Sequence, residues 1–370
     1  MTTTKGLEGI VATTSSISSI IDGILTYRGI DIDELALHAS FEEVIYLLWF
    51  GKLPNQTELV QLQNDLNQHY EIPCEIIAQM KMYPKTANAM AVLRSVVSSL
   101  ALYDEEANDN HRDANIRKAI KLQVQIPTII AAFSRIRNNL EPLASRGYPT
   151  IAANFLYQLT GKEPDPIAVN ALDNALVLHA DHELNASTFA ARVTVATLTD
   201  MYSGITSAIG TLKGPLHGGA NEAVMEMLED IGTYDRVESY ILAALERKDK
   251  IMGFGHRVYK NGDPRAKHLQ KMSYELGKIT DNLNWYHMSI KIDEMITSMK
   301  GLKPNVDFYS ASVYTSLDIP RDLFTPIFAI SRTSGWTAHM LEQYENNRLI
   351  RPRAEYIGPT QQSYIPMDVR

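Results

Sequence analysis

The sequence predicts an all-α protein with a small β ribbon at its N-terminus. Apolar residues recur at helical spacing through most of the 370 residues. Caps and Gly/Pro interruptions punctuate those runs as helix ends do. Strand-like alternation is confined to "GIVATTSSISSIIDGILTYRG", residues 9–29, which turns at Asp22-Gly23.

Each helix has its own signal. "SFEE" (Ser40 to Glu43) reads as a capping box ahead of Val44, Leu47 and Leu48, with Gly51 and Pro54 closing the helix. Amphipathic stretches follow at 57–68, 88–104, 112–137, 149–160 and 166–182. Pro127 lacks an amide hydrogen and is expected to bend or divide the third of these. In the fifth, Ala168, Leu172, Ala175, Leu176 and His179 share one face. Later helices fit 187–209, 219–230, 235–247, 264–278, 288–299, 320–333 and 334–346. The tail from Pro359 is polar and expected to fray.

A net charge of -8 disfavours a broad nucleic-acid surface, which needs a basic face. Any cations that bind an anion must be gathered locally. The single cysteine, Cys74, excludes an intrachain disulfide and most zinc frameworks; without a nearby histidine it reads as a small buried residue. "MTTTKGLEGI" lacks an apolar signal core, and "VIYLLWF" is far too short to span a bilayer. The expectation is a soluble, cytoplasmic protein.

"GTLKGPLHGG" (210–219) and "GLKPNVDFYS" (301–310) are the richest Gly/Pro interruptions. They bracket an inserted segment of about a hundred residues, a usual domain size. The expected division is a large helical domain of 1–217 with 316–370, and a small one of 218–315. Clefts between domains are favoured ligand sites.

The chemistry-bearing segments lie in and around these interruptions. "GFGHRVYKNGDPRA" (253–266) sets His256 among glycines and cations; it has neither Walker spacing nor GxGxxG, and its cations suggest an anionic ligand. "KGPLHGGANEAV" puts His217 just before a helix, where the helix dipole disfavours imidazolium and leaves a neutral ring able to donate to a developing enolate. In "PNVDFYS", Val306 and Phe308 flank Asp307 and could raise its carboxyl into the range that removes a proton from carbon; the plainer reading is a capping or loop aspartate. "LHADHELNAS" offers His179, Asp181, His182 and Glu183. A metal-dependent hydrolase built on His179, Asp181 and His182 is one reading, although the segment is not HExxH; imidazoles on a carboxylate substrate are the other. "ISRTSGW" carries Arg332, and "RLIRPRAEY" carries Arg348, Arg351 and Arg353, residues of the type that grips carboxylates in bidentate fashion. No GxSxG elbow supports a serine hydrolase.

Taken in order, "ILTYRG", "HADHELNAS", "GPLHGGANEAV", "GFGHRVYKNGDPRA", "NVDFYS", "SRTSGW" and "RPRAEY" resemble citrate synthase through nearly the whole chain, most specifically in GFGH…DPR. The length resembles the shorter bacterial-type enzymes. The resemblance implies an almost entirely helical homodimer whose two domains close over the substrates. Its reaction condenses acetyl-coenzyme A with oxaloacetate and water to give citrate and coenzyme A. By the same resemblance, His217 would hydrogen-bond the thioester carbonyl, Asp307 would remove a methyl proton, and His256 would polarise the oxaloacetate ketone. His182, Arg265 and Arg332 would hold the dicarboxylate, and Arg351 would come from the partner subunit, with Arg353 its rival. Lys260 matches a cation near the coenzyme A phosphates; Arg257 and Lys303 are looser candidates. No metal or cofactor is implied, acetyl-coenzyme A being a substrate. The nearest alternative is 2-methylcitrate synthase, which uses the same residues on propionyl-coenzyme A.

Overall fold

Asp22 and Gly23 both take left-handed φ values, 54° and 82°, as a two-residue hairpin turn requires. The turn joins β1 (Ser18–Ile21) to β2 (Ile24–Tyr27), and β3 (Ile30–Asp31) adds antiparallel to β2. This ribbon is the one sheet among the described residues of the computed structural model, which are 5–7, 9–256, 258–259 and 262–370. All else that is regular there is helical, in agreement with the expected class.

The chain continues through α1 (Ile32–His38), α2 (Phe41–Phe50), α3 (Gln56–Asn67), α4 (Cys74–Lys81) and α5 (Ala89–Leu100). The capping box of α2 forms in full: Glu43 N–H donates to Ser40 Oγ at 3.3 Å, and Ser40 N–H donates to Glu43 Oε2 at 2.8 Å. Cys74 begins α4 and is exposed, against the expectation of a buried thiol. The chain runs past Pro73 there at the molecular surface.

Next come α6 (Arg112–Arg137), α7 (Ile151–Thr160), α8 (Pro166–His179), α9 (Ala186–Val195) and α10 (Met201–Leu212). Pro127 does not divide α6. The helix is buried almost continuously from Ala114 to Ser134, and packing on both sides outweighs one missing hydrogen bond. The stretch expected as a single helix over 187–209 is two. Leu198 turns the chain with φ 65°, and Asp200 caps α10 by accepting the Ser203 N–H at 2.8 Å.

The chain ends through α11 (Ala220–Ile231), α12 (Val237–Glu246), α13 (Ala266–Ile279), α14 (Asn284–Lys300), α15 (Val306–Ser316) and α16 (Phe324–Glu345). The helices expected at 320–333 and 334–346 are one. Gly335 sits inside α16 because a Cβ there would meet the Ala180 carbonyl and Asp181 Oδ1 at 2.4 Å. The glycine permits close approach and does not break the helix. α15 was not expected: Phe308, Tyr309, Ala311, Val313 and Tyr314 are all buried, so no polar face marks a period. α16 and α6 form the centre of the larger group, with α2, α8, α9 and α10 around α16. α11 to α15 pack chiefly on one another, and α13 and α15 also reach α8. No helix among the described residues is long and apolar enough to cross a membrane.

Two buried carboxyls tie α2, α7 and α8 together. Glu42 Oε1 accepts the N–H of Ile151, the first residue of α7, at 2.8 Å; Asp173 Oδ2 accepts that of Phe41, the first residue of α2, at 3.1 Å. Each thus caps another helix. Their other oxygens, Glu42 Oε2 and Asp173 Oδ1, have no partner. Burial pushes the Glu42 carboxyl up from 4.5 to about 7, and burial together with the Glu42 charge pushes Asp173 up as well. An acid whose folded value is raised binds its proton more tightly in the folded state. Its stability contribution is therefore full below about pH 4.5, falls as pH rises to about 7, and is level above. The loss is on the order of 3 kcal/mol. Glu42→Gln keeps the acceptor for Ile151 and removes this group's share, so its urea midpoint should change less than the parent's between pH 4.5 and 8, with Asp173 supplying what remains. Equal pH dependence in both proteins would mean that Glu42 ionises normally.

Candidate active site

The β ribbon clamps the segment after α8, which carries His182. Ser18 Oγ donates to Asp181 Oδ2 and accepts the Glu183 N–H at 2.9 Å. Ile20 N–H donates to Glu183 Oε1 at 2.8 Å, and the buried Tyr27 hydroxyl accepts the Asp181 N–H at 3.2 Å. Glu183 is held with φ 48°. From Asp181, the polar network continues to His339 on α16 at 3.3 Å.

His182, His217, His256, Arg265, Asp307 and Arg332 line one cavity of about 440 Å³. These are the three expected catalytic residues and three of the four expected oxaloacetate ligands. They come from the α8–α9 connection, the turns before α11 and α13, the first turn of α15, and the middle of α16.

His217 owes its state to its neighbours. Its Nε2 is 2.8 Å from Ser187 Oγ and also receives the Ser187 N–H at 3.3 Å. A nitrogen that accepts an N–H carries no hydrogen, so the neutral ring is protonated on Nδ1. Burial, then the Arg332 charge, pushes the ring down to about 4. The direction is the expected one, although burial rather than a helix dipole is its largest cause. Ser187 is held by Asn185 Oδ1 at 2.8 Å and by Trp336 Nε1 at 3.1 Å. Reading the sequence missed this serine, although it closes the "HADHELNAS" motif.

Asp307 stands one residue into α15, behind its N-cap Asn305, whose side chain accepts the Asp307 N–H at 3.0 Å. Burial pushes its carboxyl up to about 6, against the lowering effect of Arg265. His256 accepts the Val258 and Tyr259 N–H groups on Nδ1, at 3.0 and 3.3 Å. A neutral His256 therefore bears its hydrogen on Nε2. His182 is pushed well down, first by burial and then by Arg265 and Arg332, and its Nε2 lies 3.0 Å from the Tyr259 hydroxyl.

Arg265 forms a bidentate, buried pair with Asp263, at 2.9 and 2.8 Å. Asp263 Oδ2 also accepts the N–H of Val306, the first residue of α15, at 3.1 Å. One aspartate thus sets the arginine beside the helix that bears Asp307. Arg332 donates from Nε to the His179 carbonyl at 2.8 Å and lies 4.6 Å over the Phe328 ring. Burial lowers Arg332 to about 10, so it stays charged at neutral pH.

The remaining candidates lie elsewhere. His179 is fully buried, with Nδ1 on the Ala175 carbonyl at 2.7 Å, and does not face the cavity. His179, Asp181 and His182 take separate partners, and no three metal-ligating side chains gather among the described residues. Arg351 and Arg348 line a different cavity of about 790 Å³ with Arg192 and the 10–16 segment; Arg353 is exposed. Lys303 is exposed and accepts the Gly255 N–H on its carbonyl at 2.9 Å, beside His256 and Gly262. Lys260 and Arg257 lie outside the described residues.

A carboxyl raised to about 6, three imidazoles and two charged arginines share this one cavity. The family model for the citrate synthase C-terminal domain matches residues 6–353. Citrate synthase 2 of Bacillus subtilis is 62% identical over 371 residues, with all of both chains covered. The citrate synthase structure from Pyrobaculum aerophilum has a TM-score of 0.91 at 41% identity, covering 98% of this chain and 94% of its own. That from Thermoplasma acidophilum, in ternary complex with carboxymethyl coenzyme A and oxaloacetate, has a TM-score of 0.91 at 34% identity, covering 98% of each chain. The chain belongs to the citrate synthase family and is a transferase.

Proposed function

We propose that this cavity joins the methyl carbon of acetyl-coenzyme A to the ketone carbon of oxaloacetate, with Asp307, His217 and His256 dividing the work. The observation that carries the reading is the pairing, in one cavity, of a carboxylate raised to about 6 with a neutral histidine that presents Nδ1–H. A thioester methyl is a weak acid, so a base and an electrophile on the carbonyl are both needed. Asp307 takes the proton while His217 Nδ1–H stabilises the enolate oxygen. The enol carbon then attacks the ketone as His256 Nε2–H meets the developing alkoxide. Water afterwards cleaves the thioester of citryl-coenzyme A, releasing citrate and coenzyme A. These steps call for no metal or cofactor.

Arg265, Arg332 and His182 receive the two carboxylates, and closure of 218–315 on the remainder shields the thioester. Lys260, Arg257 and Lys303 are the cations proposed for the coenzyme A phosphates. The proposed working form is a cytoplasmic homodimer in which Arg351 enters the partner's cavity. Supporting this, Arg351 lies away from its own chain's cavity, and the tail after it exposes Ile357 and Tyr364 at 94% and 79%.

Thiol release with oxaloacetate, from acetyl- against propionyl-coenzyme A, tests the reading. Faster release from acetyl-coenzyme A is expected; faster release from propionyl-coenzyme A would make 2-methylcitrate the product. Mixing subunits tests the shared site. In a twofold dimer of Asp307→Asn with Arg351→Ala, one cavity carries both defects and the other none. Each verified heterodimer should therefore regain about half of the parent activity. No regain would leave Arg351 outside the partner's cavity.

A further inference from the structure

Tyr259 is buried at 4% exposure and is absent from the wall of the 440 Å³ cavity, yet it touches three residues that are on it. Its hydroxyl lies 3.0 Å from His182 Nε2 and its backbone N–H donates to His256 Nδ1 at 3.3 Å. The Arg265 guanidinium carbon lies 5.9 Å from its ring centroid. The Tyr259 ring stands edge-on to His182 at 5.5 Å and tilted against His256 at 4.6 Å, while the two histidine rings are 5.3 Å apart. One side chain backs the whole histidine pair.

The contact binds the two groups whichever way its hydrogen points: a neutral imidazole nitrogen and a phenol hydroxyl can each donate to the other, and 3.0 Å is a hydrogen-bonding distance. Take the hydroxyl away and Nε2 is left buried without a partner, and the imidazole loses the bond that fixes its rotation.

We propose that Tyr259 is a positioning residue for the substrate dicarboxylate, its hydroxyl fixing the ring orientation of His182 from behind the cavity wall. The inference rests on the oxaloacetate reading of the cavity. It makes Tyr259 act through His182, without touching substrate.

The test is calorimetric titration of oxaloacetate alone into the full-length protein, Tyr259→Phe, His182→Ala and the double variant, with steady-state kinetics alongside. Tyr259→Phe removes one oxygen atom and keeps the ring on His256 and Arg265. The expected result is a Kd for oxaloacetate raised about tenfold by Tyr259→Phe, the scale of one good hydrogen bond. KM for oxaloacetate should rise in step, with kcat reduced by less than about threefold. In the His182→Ala background the same change should alter Kd less than about twofold, since the residue it acts through is gone. Unchanged affinity in Tyr259→Phe overturns the proposal, and so does an equal loss in both backgrounds, which would mark Tyr259 as general packing. If the unmodified protein binds no oxaloacetate, the substrate reading of the cavity fails first and the role of Tyr259 falls with it.

Discussion

Asp307→Asn should lower kcat by about a thousandfold, within the range that a positioned general base supplies, while oxaloacetate still binds. Asparagine keeps the shape of the side chain but cannot accept the methyl proton. His182, Arg265 and Arg332, the residues proposed to hold oxaloacetate, are untouched, so a calorimetric Kd for oxaloacetate close to the parent value should accompany the loss. The parent should also show a rising limb of kcat with pH. Its carboxyl, raised to about 6 by burial, is protonated and idle below that value and active above it. Since Asp307→Asn has no such carboxyl, its residual rate should lack the limb. A variant that keeps turnover within about tenfold of the parent would move the base to another residue.

His217→Ala is expected to cost about a hundredfold or more in kcat, the usual effect of removing one donor to a developing oxyanion. The enolate oxygen would lose the Nδ1–H that the Ser187 contacts at 2.8 and 3.3 Å assign to the ring. Exchange of the acetyl methyl hydrogens with deuterated solvent, in the presence of a non-reactive oxaloacetate analogue, isolates this step. Exchange should fall in parallel with kcat. If it persists at the parent rate while kcat drops, His217 serves a later step than enolisation.

Much of the fold was readable wherever a helix has one wet face and one dry face. The capping box at Ser40 and Glu43, the turn at Asp22-Gly23 and most helix spans stand where local chemistry predicts. The misses have more than one cause. α15 is buried all round, so nothing periodic marks it; Pro127 reads as a break, and α16 as two helices, yet both helices run on because neighbours far away in sequence hold them. Gly335 approaches Ala180 and Asp181, and neither contact can be inferred from the residues beside it. α1 and α4 were not expected either, being two turns long and too short to show a period.

By itself the sequence determined the inventory of chemistry. Three histidines, an aspartate and the arginines stand in motifs whose order names the family, and the local residue types limit what each can do. Which atoms face one another was decided only by the tertiary structure. That His217 offers Nδ1 depends on Ser187, thirty positions away, and the contact of His182 with Tyr259 spans seventy-seven. The elevation of Asp307 depends on burial, with Arg265 and Asp263 acting on it in opposite directions. The physical reason is common to all three. A hydrogen's place on an imidazole and a carboxyl's hold on its proton are set by partners within a few ångströms and by exclusion of water, and only folding brings those about.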